Sequence, residues 1–256
     1  MLFDTHVHLN DSEYEDYDKI IQDALKENVT KMVVIGFDYN SSKKAVDIAN
    51  RYPFIYAAIG IHPSEDKTDY HTDLIKLEKL ISNKVVAIGE IGLDYHYLQI
   101  DKKRQEELFV LQLKLAKKYN LPICIHSRDA CQDTYRILKE NKDCYNKGIM
   151  HCYSYSKEMA NKFSRLGFIF GIGGVVTYKN AKEIKDVVEN LDLSKIVLET
   201  DAPYLAPTPF RGKVNEPKYI GYVAKEIAIL KNLSQEKIEE ITYKNACDFF
   251  EVNYEN

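Results

Sequence analysis

The chain contains no apolar run approaching the roughly 18 residues that a helix needs to cross a bilayer, and so offers no helical membrane span. A surplus of positive charge is also absent: 35 Lys and Arg stand against 39 Asp and Glu, a formal net charge of -4. That balance argues against coating nucleic acid through bulk charge, though not against holding one strand end in a metal-neutralised cleft. Cysteines are few. Cys124, Cys131, Cys144, Cys152 and Cys247 form no C-x-x-C pair, and their odd number fits reduced thiols better than a disulfide framework. No basic segment followed by an apolar stretch opens the sequence, so no signal peptide is expected and the expected compartment is the cytoplasm. No Pro-, Gly- or Ser-rich linker and no block of like charge divides the 256 residues, of which 45% are hydrophobic. A single domain over residues 1–256 with a sizeable core is therefore expected.

What is present begins with DTHVHLN at residues 4–10. His6 and His8 stand two apart on an extended apolar start, and side chains alternate faces along a strand, so both imidazoles aim at one point and can grip one metal ion. Two histidines alone do not make a site, and hydrogen-bonded core or surface histidines would look the same. Glu90 in VVAIGEIGLDY, His126 in LPICIHSRDA, His151 in GIMHCYS and Asp201 in KIVLETDAPYLAP change the weighing, because each stands at the end of a short β-branched, apolar run. Ionisable residues are rarely buried unless paired or metal-bound. Six candidate ligands at the ends of five predicted strands are poorly explained by chance scatter.

Short apolar segments recur at Leu2–His8, Lys31–Gly36, Phe54–Gly60, Val85–Gly89, Leu121–His126, Gly148–His151, Phe168–Gly173 and Ile196–Asp201. Helical spacing lies between them, as in Glu106–Lys118, where Leu108, Leu111, Leu115 and Ala116 repeat at three and four residues. Two further helices are predicted near Gly221–Lys231 and Ser234–Phe250. This alternation predicts an α/β fold, a (β/α)8 TIM barrel, with an open doubly wound sheet as the alternative. In a barrel every parallel strand ends on one face, so the candidate ligands would converge; an open sheet would spread them along an edge.

Imidazole and carboxylate ligands without thiolates suit Zn²⁺ or Mn²⁺, with Mg²⁺ a looser fit. Six ligands exceed what one catalytic ion takes, so two divalent metal ions sharing a carboxylate are expected. Paired ions roughly 3.5–4 Å apart acidify a bridging water and clamp the oxygens of a displacement at phosphorus. Arg128 and Arg211 are candidates for holding a substrate phosphate through their guanidinium forks, although surface ion pairs would account for them equally well. His62 in GIHPS is a further candidate substrate contact, with a structural role as the alternative. Asp4 and Glu199 each precede a candidate ligand by two residues on the same strand face, which suits orienting an imidazole or a ligating carboxylate. Asp94 and Tyr95 are expected to shape the loop after the fourth strand. His71 and His96 look incidental, and Cys152, next to His151, is expected on the opposite strand face.

The ordered set FDTHVHLN, GIHPSE, AIGEIGLDY, PICIHSRDA, GIMHCYS, GFIFGIGG, LETDAPYLAP and RGKVNEP resembles the TatD family of metal-dependent deoxyribonucleases, within the amidohydrolase-like barrel superfamily. The resemblance runs nearly end to end. It implies one ion held by His6, His8, Glu90 and Asp201 and a second by Glu90, His126 and His151, with Glu90 bridging. Ser64 stands where many members carry a second histidine, and Tyr155 where glycine is common, which leaves substrate preference open. No lysine stands at the fourth strand to be carboxylated, as in many amidohydrolases; Glu90 occupies that place.

The expected function is hydrolysis of DNA phosphodiester bonds by a two-metal-activated water, as a 3′→5′ exonuclease on single strands, with Glu90 or Asp201 accepting the proton. Nucleic acid is the expected partner, single-stranded DNA first and RNA or tRNA as alternatives; no obligate protein partner is inferred. A D-aminoacyl-tRNA deacylase, which the same family resemblance suggests, would use the same ions on a carbon ester. A scaffold with a relict barrel has no physical need for several ionisable groups in one cleft.

Overall fold

In a computed structural model, residues 1–65, 69–96 and 101–255 are described. The chain alternates β1 (Leu2–Val7), α1 (Tyr17–Lys26), β2 (Val29–Ile35), α2 (Tyr39–Arg51), β3 (Ile55–Ile59), α3 (Tyr70–Glu78), β4 (Val85–Asp94) and α4 (Lys102–Lys118). It continues with β5 (Ile123–Arg128), α5 (Cys131–Glu140), β6 (Gly148–Met150), α6 (Lys157–Arg165), β7 (Phe168–Ile172), α7 (Lys182–Asn190) and β8 (Ile196–Leu198). Helices α8 (Ile220–Lys231) and α9 (Gln235–Phe250) follow.

The strands pair in sequence order, β1 to β8, each parallel to the next. The first and last then meet. Val7 bridges Ala202 in parallel, His8 N–H donates to Ala202 O at 2.8 Å, and Asp201 N–H donates to His6 O at 2.9 Å. These bonds close the sheet into a (β/α)8 TIM barrel and exclude the open alternative. Closure also sets His6 and His8 beside Asp201, from opposite ends of the chain.

Pleating divides the strand residues between two cores. Val33, Ile35, Ala58, Ile149, Ile169 and Val197 face inward and pack with Phe249 and Phe250 of α9. Met32, Val34, Ala57, Ile59, Ile123 and Ile125 face outward under the surrounding helices. The inward phase runs through Cys124 to His126, from Ile149 to His151 and from Val197 to Glu199. Apolar residues thus fill the interior toward α9, while ionisable ones occupy the end where the strands finish.

Two elements differ from the sequence reading. β4 runs on to Asp94, so Glu90 lies inside a strand and not at its end. Pairing with β5 shifts register between Ile88 and Ile91, an irregularity of the kind that re-aims a side chain. Gly89 is needed there, since a Cβ at this position would lie 2.5 Å from Cys124 Cβ. In α4 the buried residues are Gln105, Leu108, Phe109, Gln112, Leu113 and Ala116, while Leu111 and Leu115 are only half-buried. Two glutamines therefore occupy a face that apolar spacing alone would have drawn one step round the helix.

Candidate metal centre

The six candidate ligands, drawn from the β1, β4, β5, β6 and β8 regions, converge at the C-terminal end of the barrel. His8, Glu90, His126, His151 and Asp201 line one cavity of about 430 Å³, together with His62, Arg128, Cys152, Tyr204 and others. His6 lies beneath them, fully buried.

Glu90 is the hub. Its Oε2 lies 3.6 Å from His6 Nε2 and 4.0 Å from His8 Nε2. Its Oε1 lies 2.9 Å from His126 Nδ1 and 3.8 Å from Nε2 of both His151 and His62. Asp201 Oδ1 stands 3.4 Å from His8 Nε2, 3.5 Å from His151 Nε2 and 3.8 Å from His6 Nε2. The rings of His6 and His151 stack with centroids 3.4 Å apart.

The far side of each imidazole is held. His8 Nδ1 is 3.2 Å from Ile35 O, and His6 Nδ1 is 3.4 Å from Cys124 Sγ. Glu199 Oε1 lies 3.0 Å from His151 Nδ1 and accepts from Cys152 N–H at 2.6 Å. His126 Nε2 meets Asp94 Oδ2 at 2.9 Å. Carboxylates and carbonyls in these positions fix ring orientation and raise ligand basicity.

The donor set fits divalent ions. His6 Nε2 is buried without a hydrogen-bond partner among the described residues, an arrangement that costs roughly 1–3 kcal/mol if nothing satisfies it. Atoms bound to one ion at roughly 2.0–2.2 Å stand about as far apart as His6 Nε2, His8 Nε2 and the Glu90 and Asp201 oxygens do here. His6, His8 and Glu90 form one group with ligand atoms within 4.8 Å of one another, and His151, Cys152 and Asp201 form another.

Electrostatics follow from this crowding. Burial opposes ionisation of Glu90, but the electrostatic pull of the facing His62 ring and the contacts with His126, His151 and His6 hold its carboxyl well below the usual range. Burial likewise opposes the charge on Asp201 and is outweighed by His151, His8 and His6. Burial lowers His151, yet Glu199, Asp201 and Glu90 together push it up to about 10. His62 goes the other way, pushed down to about 3 by burial and by the neighbouring His126.

His62 is therefore neutral, and its tautomer is set by Ser64. Ser64 N–H donates to His62 Nδ1 at 3.1 Å and the Ser64 hydroxyl lies 2.7 Å away, so the ring hydrogen sits on Nε2, facing Glu90. Tyr155, the other departure from the family pattern, ties the loop after β6 to the end of β5. Its hydroxyl donates to Ser127 O at 2.8 Å.

Other residues are placed differently from the sequence reading. Asp4 reaches no imidazole; it accepts from Thr200 N–H at 3.0 Å, from the Thr200 hydroxyl at 2.6 Å and from His6 N–H at 3.3 Å. It joins the backbones that carry His6 and Asp201, and burial raises its carboxyl to about 8. Arg211 is not among the cavity-lining residues; its guanidinium lies 4.5 Å from the centre of the Tyr178 ring. Cys152 does line the cavity, because β6 ends at Met150 and Cys152 has φ 44°, so strand alternation no longer governs it. Asp94 does more than shape a loop, since its carboxylate meets His126. Asp94 follows Glu90 by four residues on β4, so strand alternation sets the two on one face. His71 and His96 lie outside this cavity lining, and His96 Nδ1 is 3.3 Å from Asp129.

A parallel barrel with clustered imidazoles and carboxylates at its C-terminal face has the architecture of metal-dependent hydrolases. The chain belongs to the TatD-related DNase family, whose model matches residues 3–251. It is 46% identical over 255 residues to the uncharacterized metal-dependent hydrolase YabD of Bacillus subtilis, covering 99% of this chain and 100% of the relative. It is 33% identical over 257 residues to the uncharacterized metal-dependent hydrolase YcfH of Escherichia coli, covering 98% and 96%. The crystal structure of the TatD homologue YjjV from Escherichia coli K12 superposes with a TM-score of 0.93 at 32% identity, covering 98% of both chains. A TatD family hydrolase from Entamoeba histolytica gives 0.85 at 26% identity, covering 97% of both.

Proposed function

We propose that this metal-dependent hydrolase cleaves DNA phosphodiester bonds, removing nucleotides from the 3′ end of single strands. The observation that carries the reading is the division of Glu90: one carboxylate oxygen faces His6 and His8, the other His126, His151 and His62. That division suits a carboxylate shared by two ions, with His6, His8 and Asp201 on one side and His126 and His151 on the other. Ions so held acidify water and neutralise phosphate charge.

The chain's own groups supply the rest. Arg128 at the cavity wall offers a guanidinium fork to phosphate oxygens. His62, neutral with its hydrogen on Nε2, donates to a substrate oxygen. Asp201, ionised and less enclosed than Glu90, accepts the proton of the attacking water. A cavity of about 430 Å³ suits one strand end better than a duplex.

The test is cleavage of 5′-labelled single-stranded DNA by metal-stripped protein with Mg²⁺, Mn²⁺ or Zn²⁺ restored and Glu90→Ala in parallel. A metal-dependent ladder shortening from the 3′ end, absent in the variant, is expected. Metal uptake without cleavage, accompanied by release of amino acid from D-aminoacyl-tRNA, would replace phosphorus by carbon as the point of attack.

A further inference from the structure

Gln105 and Gln112 stand seven residues, about two turns, apart on the barrel-facing side of α4, and both are buried. Each spends both ends of its amide on the backbone of a single residue. Gln112 Oε1 accepts from Ile61 N–H at 2.8 Å, and its Nε2 donates to Ile61 O at 3.0 Å. Gln105 Oε1 accepts from Asp94 N–H at 2.9 Å, and its Nε2 donates to Asp94 O at 2.9 Å. Ile61 lies just past the end of β3, and Asp94 is the last residue of β4.

What these two residues carry gives the clamps a further consequence. Ile61 precedes His62, whose Nε2 faces Glu90. Asp94 supplies the carboxylate that meets His126 Nε2 at 2.9 Å. The rings of His62 and His126 then pack edge to face, with centroids 4.2 Å apart. One helix thus fixes, through two amides, the backbone behind two neighbouring imidazoles of the centre. Satisfying backbone groups at strand ends explains the bonds themselves. It does not explain why both amides fall on the residues behind His62 and His126.

We infer that Gln105 and Gln112 are positioning residues: Gln112 sets the ring of His62, and Gln105, through Asp94, sets the ring of His126. The catalytic consequence of this inference rests on the hydrolase reading above, whereas ring placement can be measured without it. A hydrogen bond weakens steeply once its geometry is lost, so a small backbone displacement at Asp94 is enough to release His126.

The experiment compares wild type, Gln105→Met and Gln112→Met by histidine ring ¹⁵N spectra of the metal-free protein, followed by zinc titration and steady-state kinetics. Gln105→Met is expected to shift the His126 ring nitrogens most and to weaken zinc binding about tenfold or more, as loss of an outer partner does. Gln112→Met is expected to shift the His62 nitrogens most, leave zinc affinity unchanged and lower kcat more than it raises KM. Folded variants whose His62 and His126 ring signals overlay those of wild type would overturn the inference, as would variants that lose only melting temperature. A wild type that takes up no divalent ion would remove the hydrolase reading, while the ring spectra would still decide the positional claim. Should Gln105→Met fail to fold, Gln105→Glu is read in its place, since it keeps the side-chain size and the oxygen that accepts from Asp94 N–H.

Discussion

The carboxylate of Glu199 lies 3.0 Å from Nδ1 of His151, although the two residues belong to strand ends separated by β7. Glu199 spans that strand because Gly171 of β7 has no side chain; a Cβ there would collide with the Glu199 carboxylate. The contact leaves Nε2 of His151 turned toward Glu90 and Asp201. Glu199→Gln keeps the shape and removes the charge, and is expected to weaken divalent-metal binding about 10–100-fold. Zinc titration of the folded variant checks this, and undiminished affinity would remove the orienting role from Glu199.

Gly171→Ala places a methyl group where a buried carboxylate already sits. Overpacking of this kind is expected to cost about 1–3 kcal/mol, read as a lower midpoint in denaturant. Because the collision is with Glu199, Glu199→Ala in the same chain should relieve part of it, so the double variant loses less than the sum of the singles. Strict additivity would place the strain elsewhere.

Glu90 serves both sides of the centre, so Glu90→Gln is expected to lower both activity and metal stoichiometry. The loss of activity should exceed the about 10–100-fold typical of outer partners. Metal analysis beside the cleavage assay makes the check; two ions retained at full occupancy would refute a bridging role.

Proton release follows from the raised histidines. His151 is pushed up to about 10, and His8 and His126 are raised, in each case because carboxylate contacts outweigh burial. Ligand imidazoles must be neutral, so metal binding expels these protons and affinity rises with pH until His151 loses its own proton near 10. Without metal the sign reverses. A folded value above the ordinary 6.5 makes the contribution of His151 to stability complete below pH 6.5 and lost as pH rises toward about 10. Calorimetric titration at pH 7.5 in buffers of different ionisation heat should show at least one proton released per chain, and none would contradict this assignment.

The two arginines are expected to separate in substrate binding. Arg128 lines the cavity and Arg211 stacks on Tyr178 outside it. Arg128→Ala is expected to raise KM for single-stranded DNA about tenfold or more, the worth of a charged hydrogen bond, and Arg211→Ala to raise it less. The ratio of the two KM values is the measurement, and the reverse order would place phosphate along the Tyr178 side.

Much of the barrel was legible in the chain because β-branched runs and helical spacing are local signals. The runs around His6, His126, His151 and Asp201 each fall on or beside an observed strand, since a strand end needs only a few apolar residues and a polar successor to be recognised. Glu90 was picked out by the same logic although β4 continues past it, because the register shift that turns it inward belongs to the pairing with β5 and not to β4 alone. Cys152 was misplaced for a related reason: alternation holds only while the chain stays extended, and φ 44° ends it.

The sequence by itself determined the alternation of elements, the pleat phase of the regular strands and, on those strands, which ionisable residues could face inward. All of these depend on neighbours within a few positions. Tertiary structure alone decided which groups meet. Asp4 bonds Thr200 and not an imidazole, Glu199 crosses β7 to His151, Asp94 reaches His126, and two glutamines on α4 grip the strand ends behind His62 and His126. Each of these contacts joins residues that are brought together only when the helices pack on the sheet and the barrel closes, and no periodicity within one segment records the distance to another.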